Sequence, residues 1–184
     1  LASRGQSAGA IRALEEARPV QDPKALPADR LLVELFIDAG QTDRAIEALQ
    51  RMVQAMAPNV DDAIRLRLAE SLVTARRFDE ALKELDQLSP TMRDSVAPAI
   101  LRADAAAGRG DSKLAMELLD KAVTTFPNNA AVFLKRAQAA IEQERNTADI
   151  LADLEQALRL DPRLWQAHQL RAYVYDRANR PGEV

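Results

Sequence analysis

Cysteine is absent from the 184 residues, and histidine occurs once, at His168. Without thiols there is no disulfide framework, no cysteine nucleophile and no cysteine-ligated zinc, although the compartment stays open. A lone imidazole disfavours a conventional transition-metal site. Aromatic residues are 4% of the chain and glycine only 6 residues, which argues against strands, since these draw on aromatic and β-branched side chains. No stretch approaches the ~18 consecutive apolar residues of a membrane span. Charge of one sign is also missing: 25 basic and 28 acidic residues leave a net −3, so there is no basic footprint for nucleic acid. What is present in quantity is alanine, 35 residues of it, within a chain that is 47% hydrophobic and 29% charged. Alanine is the strongest helix former, and this balance supports a folded, all-helical protein.

Self-similarity organises the chain. One phrase is an Ala, a Leu four residues on and a small or apolar residue three further. It occurs at Ala10-Leu14-Ala17, Ala45-Leu49-Met52, Ala81-Leu85-Leu88, Ala115-Leu119-Ala122 and Ile150-Leu154-Ala157, at intervals of 35, 36, 34 and 35 residues. A second mark, a small residue seven positions before a turn, falls at Val33, Ala69, Ala103, Ala137 and Ala172, at intervals of 36, 34, 34 and 35. Two marks keeping one period define a repeat protein.

Each period holds two helical patterns joined by a short turn. Apolar residues at i, i+4 and i+7 form one stripe of a helix. Thr42, Asp111 and Asn146 are expected to cap second helices, and Ser95 the helix carrying Pro98. Gly40 and Gly110 stand where a left-handed residue closes a turn. Pro58-Asn59, Pro127-Asn128-Asn129 and Asp161-Pro162 break one helix and open the next, and Ser89 to Asp94 reads as a connector. The spacing predicts first helices near 28–39, 61–75, 96–108, 130–143 and 164–178, with second helices near 7–18, 42–56, 78–88, 111–126 and 147–160.

These residues resemble the tetratricopeptide repeat (TPR) family. The closest stretches are Gly110-Asp111 through Ala115, Leu119, Ala122 and Pro127, then Leu154 to Pro162 followed by Trp165. The resemblance covers essentially the whole chain and implies an all-α, right-handed superhelical solenoid of antiparallel helix-turn-helix repeats. It divides the chain into a half repeat over 1–24, repeats over 25–60, 61–94, 95–129 and 130–163, and a half repeat or cap over 164–184. Alanines 103, 115, 122, 137, 157 and 172 are expected where helices cross closely. The chain departs from the family pattern at Glu144-Arg145-Asn146-Thr147, which lacks Gly-Asp, and at Arg18 to Pro27, where three prolines predict a longer or kinked joint. Opening on Leu1 rather than Met, the chain is read as a piece of a longer protein. Ile11 and Leu14 would then lie unpartnered, and self-association through the cut repeat ends is expected.

In this family the first helices line a concave groove. Registering each by its small residue brings Arg30, Glu34, Arg67, Glu70, Ile100, Asp104, Lys135, Gln138, Gln169 and Tyr173 to that face. Residues 1–92 carry 12 basic and 15 acidic side chains against 13 and 13 in 93–184, so the excess acid lies in the half where Glu34 and Glu70 fall. A basic peptide or helix with small apolar anchors suits such a groove. The plainer reading makes Glu34, Glu70 and Asp104 a solvated face paired with Arg30, Arg67 or Arg102, worth ~0–1 kcal/mol per pair. A groove gripping a chaperone's terminal carboxylate would need the opposite sign.

Catalytic readings find little. His168 reads as a structural histidine packed between repeats, and no Ser/His/Asp set assembles around it. Gly108-Arg109-Gly110-Asp111 follows a helix and lacks Lys-Ser/Thr, so it is a turn and no phosphate cradle. Trp165, Tyr173 and Tyr175 read as core or cap packing. The function expected is a non-catalytic interaction scaffold without cofactor or metal, its partner a protein or peptide and no nucleic acid. By resemblance to long bacterial TPR arrays, the alternatives are a component of envelope secretion, exopolysaccharide export or pilus assembly, and a substrate-positioning module of an enzyme whose catalytic domain lies elsewhere.

Overall fold

A computed structural model describes residues 2–17 and 26–178. The described residues form helices and turns only: α1 Ala2–Ala17, α2 Leu26–Asp38, α3 Thr42–Met56, α4 Asp62–Thr74, α5 Phe78–Asp86, α6 Pro90–Arg93, α7 Val96–Gly108, α8 Ser112–Thr125, α9 Ala130–Glu142, α10 Thr147–Leu160 and α11 Trp165–Ala178. The predicted helices are all present, and the proline-rich joint expected over Arg18 to Pro27 lies largely outside the described residues. Two compact units result, residues 1–93 and 94–184. In the first, α1 packs on α2, α2 on α3, α3 on α4 and α4 on α5; in the second the same order runs from α7 to α11.

Four hairpin turns repeat one hydrogen-bond pattern. The N–H of Gln41 donates to the Phe36 carbonyl (2.8 Å), Arg77 to Leu72 (2.8 Å), Asp111 to Ala106 (3.0 Å) and Arg145 to Ala140 (2.9 Å). The residue before each donor is left-handed: Gly40 (φ 70°), Arg76 (φ 60°), Gly110 (φ 86°) and Glu144 (φ 51°). This is the Schellman closure, which satisfies the last carbonyls of the first helix while reversing the chain. The sequence shows it at the two glycines; Arg76 and Glu144 adopt it against their side-chain preference. The second helix then starts at once. Asp111 accepts from Leu114 N–H (2.9 Å) and Asn146 from Ala148 N–H (2.8 Å). Thr42 is not the cap expected: Gln41 occupies that position without a side-chain bond, and Thr42 is the first helical residue. Ser95 is the N-cap of α7 but makes no capping bond with its side chain. Between hairpins, Asp61 caps α4 through Ala63 N–H (2.9 Å) and Asn129 caps α9 through Ala131 N–H (3.0 Å).

The two sequence marks become the helix contacts. Val33, Ala69, Ala103 and Ala137 are buried to 3% exposure or less, and Ala45, Ala81, Ala115 and Ile150 to 4% or less. The small residues at these places let the backbones of a pair come close, Ile150 being the bulky exception, and Leu32, Phe36, Leu68, Leu72, Leu119 and Leu154 fill the space around them. Each such side chain contributes ~1.5–3 kcal/mol on leaving water. The outermost members of the series differ: Ala10 and Ala172 are exposed, because among the described residues no helix packs against them. For Ala172 that corrects the expected close crossing. Ile11, expected to be unpartnered, is 4% exposed and belongs to the core of the first unit. α5 stops at Asp86, short of the predicted 88, and the expected connector carries the turn α6. There the Asp62 carboxylate accepts from the Ser89 backbone (3.0 Å) and hydroxyl (2.5 Å), and these bonds hold it below its ordinary pKa.

Arg76→Gly is expected to stabilise the first unit by about 1 kcal/mol, since a left-handed residue with a Cβ costs roughly 1–2 kcal/mol. Gly40→Ala should destabilise it similarly; nothing lies within 4 Å of the new methyl, so the effect is purely conformational. Denaturant midpoints shifting in these opposite directions would establish the turn geometry.

Candidate partner-binding face

The first helices carry the candidate residues, and the structure pairs most of the charged ones. In the first unit α2 presents Arg30, Leu31 and Glu34, and α4 presents Ala63, Arg67 and Glu70. Arg30 reaches Asp61 at 3.8 Å, and Arg67 donates to Glu34 at 2.6 Å and lies 3.8 Å from Glu70. Ion pairs therefore cross from α2 to α4 on successive turns with opposite polarity. Beneath them a groove of about 380 Å³ runs between α2, α3 and α4, walled by Leu31, Val33, Leu49, Met52, Ala63 and Ile64. Half-burial pushes the Glu70 carboxyl above its ordinary pKa, and nearby Arg67 offsets this only in part.

In the second unit Asp104 on α7 pairs with Lys135 on α9 at 2.7 Å, both about 30% exposed or less. Ile100 is half-buried against the cluster of Ala122, Val123 and Val132. Gln138 is half-buried and Gln169 exposed. Tyr173 is 48% exposed; its hydroxyl accepts from Arg177 at 3.3 Å, and Arg177 also bonds Glu144 at 3.0 Å. This group opens on a cleft of about 340 Å³ beside the α9–α10 turn. The acidic residues are thus paired, as the plainer reading had it: Glu34 and Glu70 with Arg67, one of the partners expected, and Asp104 with Lys135, which was not.

Two further readings change, and one feature is new. His168 is exposed instead of packed between repeats; its Nε2 lies 3.0 Å from the Pro162 carbonyl. Trp165 and Tyr175 are 64% and 47% exposed, not core or cap packing, because no described helix covers that side of α11. A polar cleft of about 310 Å³ among α8, α9 and α10, which the spacing did not reveal, centres on Arg136. Its guanidinium bonds Asp153 through Nε (2.8 Å) and Nη2 (2.5 Å), and Asp120 at 3.0 Å. Asp153 is 7% exposed, and its bond raises the Arg136 pKa. Arg65 and Glu84 (2.8 Å) join α4 to α5 in the same manner. The signal was a carboxylate inside an apolar stripe, beside Leu154.

Among the described residues no group of three or more His, Asp and Glu could hold a metal ion, and no helix is long and apolar enough to cross a membrane. Two tetratricopeptide-repeat family models match the chain, one over residues 1–61 and 100–164 and the other over 38–105. The chain belongs to the tetratricopeptide repeat family. No curated protein matches it. Among solved structures it is similar to TTC0263, a thermophilic TPR protein of Thermus thermophilus, at 20% identity and a TM-score of 0.68, covering 93% of this chain and 91% of that one. It is also similar to MamA 41-end from Desulfovibrio magneticus RS-1 at 17% identity and a TM-score of 0.65, covering 88% and 89%. YrrB, a TPR protein with an unusual peptide-binding site, gives 16% and 0.62, covering 94% and 87%. At these identities the likeness concerns the TPR fold, one that is consistent with a protein-interaction scaffold.

Two outcomes test the electrostatics. The ionised Glu70 is the form its surroundings penalise, so it opposes folding above its raised pKa and ceases to do so once pH falls below the ordinary glutamate range. Glu70→Gln should therefore raise the melting temperature at neutral pH, the gain vanishing in acid. Asp153→Ala, which strands the Arg136 charge with Asp120 alone, is expected to cost about 2 kcal/mol by denaturant titration.

Proposed function

We propose that the chain is a non-catalytic scaffold whose first-helix face captures a segment of a protein partner. The observation that carries this reading is the groove between α2, α3 and α4, apolar in its walls and ringed by Arg30, Glu34, Asp61 and Arg67. An apolar recess with a few charged groups at its mouth is the usual form of a peptide-recognition surface. The likeness to YrrB, itself a TPR protein with a peptide-binding site, supports the same reading. Arg30, Glu34, Arg67 and Glu70 contribute in the first unit, and Ile100, Asp104, Lys135, Gln138, Gln169 and Tyr173 in the second. Carboxylates at Glu34, Glu70 and Asp104 favour a partner with basic side chains, which exchange with Arg67 and Lys135 in pairs that are themselves weak. A groove of this kind binds and orients without chemistry of its own, so the chain is expected to turn over no substrate.

Immobilised chain should retain a basic protein partner, and the double change Glu70→Lys and Asp104→Lys should abolish that capture. Equal retention by the double variant, provided its circular dichroism is unchanged, would refute this face as the binding surface.

A further inference from the structure

The groove of the first unit differs sharply between wall and mouth. The wall is aliphatic and includes Leu31, which is 58% exposed. At about 380 Å³ the groove is near the lower end of the range that holds whole ligands, roughly 300–1,000 Å³, so it suits one or two side chains. At the mouth, two cations (Arg30 and Arg67) meet two carboxylates (Glu34 and Asp61), and Glu70, just outside it and near Arg67, adds one negative charge in excess. Arg67 is shared: it holds Glu34 at 2.6 Å and stands 3.8 Å from Glu70. Glu70 is therefore the carboxylate with the weaker claim on its cation, one turn along α4 from the groove.

Resting on the reading of this face as a peptide-binding surface, we infer that the groove takes one aliphatic side chain of leucine or isoleucine size from the partner segment, and that a single Lys or Arg beside this anchor pairs with Glu70. A strongly basic segment meets Arg30 and Arg67 at the same mouth, and an acidic one meets the excess carboxylate; one positive charge completes the balance. The anchor supplies most of the affinity because its contact removes apolar area from water on both sides, whereas the exposed pair mainly fixes direction.

Amide NMR titration of the intact chain with four short synthetic peptides tests this. Three are Gly/Ser-based with a central Leu-Lys, Ser-Lys or Leu-Glu, and the fourth has neither Leu nor charge. The Leu-Lys peptide should shift resonances around Leu31, Ala63 and Ile64, binding roughly tenfold more tightly than Ser-Lys and about threefold more tightly than Leu-Glu. Ala63→Trp, a change at a wall position outside the core that fills the groove, should erase the advantage of Leu. Glu70→Lys should erase the advantage of Lys over Glu. If Ser-Lys binds as well as Leu-Lys on this face, the anchor is wrong while the peptide-binding reading stands. If no peptide shifts any first-helix resonance of this unit, both fall.

Discussion

Each hairpin of this chain rests on the close approach of two helices at small side chains. Val33, Ala69, Ala103 and Ala137 on first helices, and Ala45, Ala81, Ala115 and Ile150 on second helices, are almost wholly buried. Except at Ile150, so little side-chain bulk lies between the backbones that larger residues on either side can interlock. The candidate face follows from that constraint. Once one stripe of a first helix is committed to its own second helix and another to the neighbouring hairpin, the remaining stripe has nowhere to go but outward, and Arg30, Glu34, Arg67 and Glu70 lie on it.

The turns impose the second constraint. A chain that must reverse within three or four residues while satisfying helix-end carbonyls needs one left-handed residue. Glycine supplies it at 40 and 110; Arg76 and Glu144 supply it under strain. That four turns share one hydrogen-bond pattern despite two different residue classes shows that packing on both sides, rather than local preference, enforces the conformation. Glu144 is also a partner of Arg177, so a strained turn and a surface charge contact coincide at the end of the second unit.

Charge is organised at two depths. Pairs such as Arg67–Glu34 are exposed and exchangeable, and suit a surface that must trade internal contacts for those of a partner. Arg136–Asp153 and Arg65–Glu84 are sheltered and tie a first helix to its own second helix; losing one member strands the other. The same residue types thus tie helices together in one place and leave the proposed binding face adjustable in another.

Periodicity alone determined the helices, their pairing and the small residues at their contacts, because a 34- to 36-residue repeat of Ala and Leu marks records which positions have no room. Glycine turns were legible for the same reason, since only backbone geometry was at stake. Pairing of charges was not: Glu34 lies 33 residues from Arg67, Lys135 31 from Asp104, and Asp153 17 from Arg136. Several cations lie within reach of each carboxylate, and side-chain geometry makes the choice. Burial at the terminal helices was equally hidden, because a periodic pattern looks the same whether or not a neighbour continues it. For His168, Trp165, Ala172 and Tyr175, burial depends on whether another helix lies against α11. Ile11 is the opposite case, since α2 covers it. Local pattern specifies which face of a helix is apolar, and only the packed structure decides which part of that face is covered and which forms a groove.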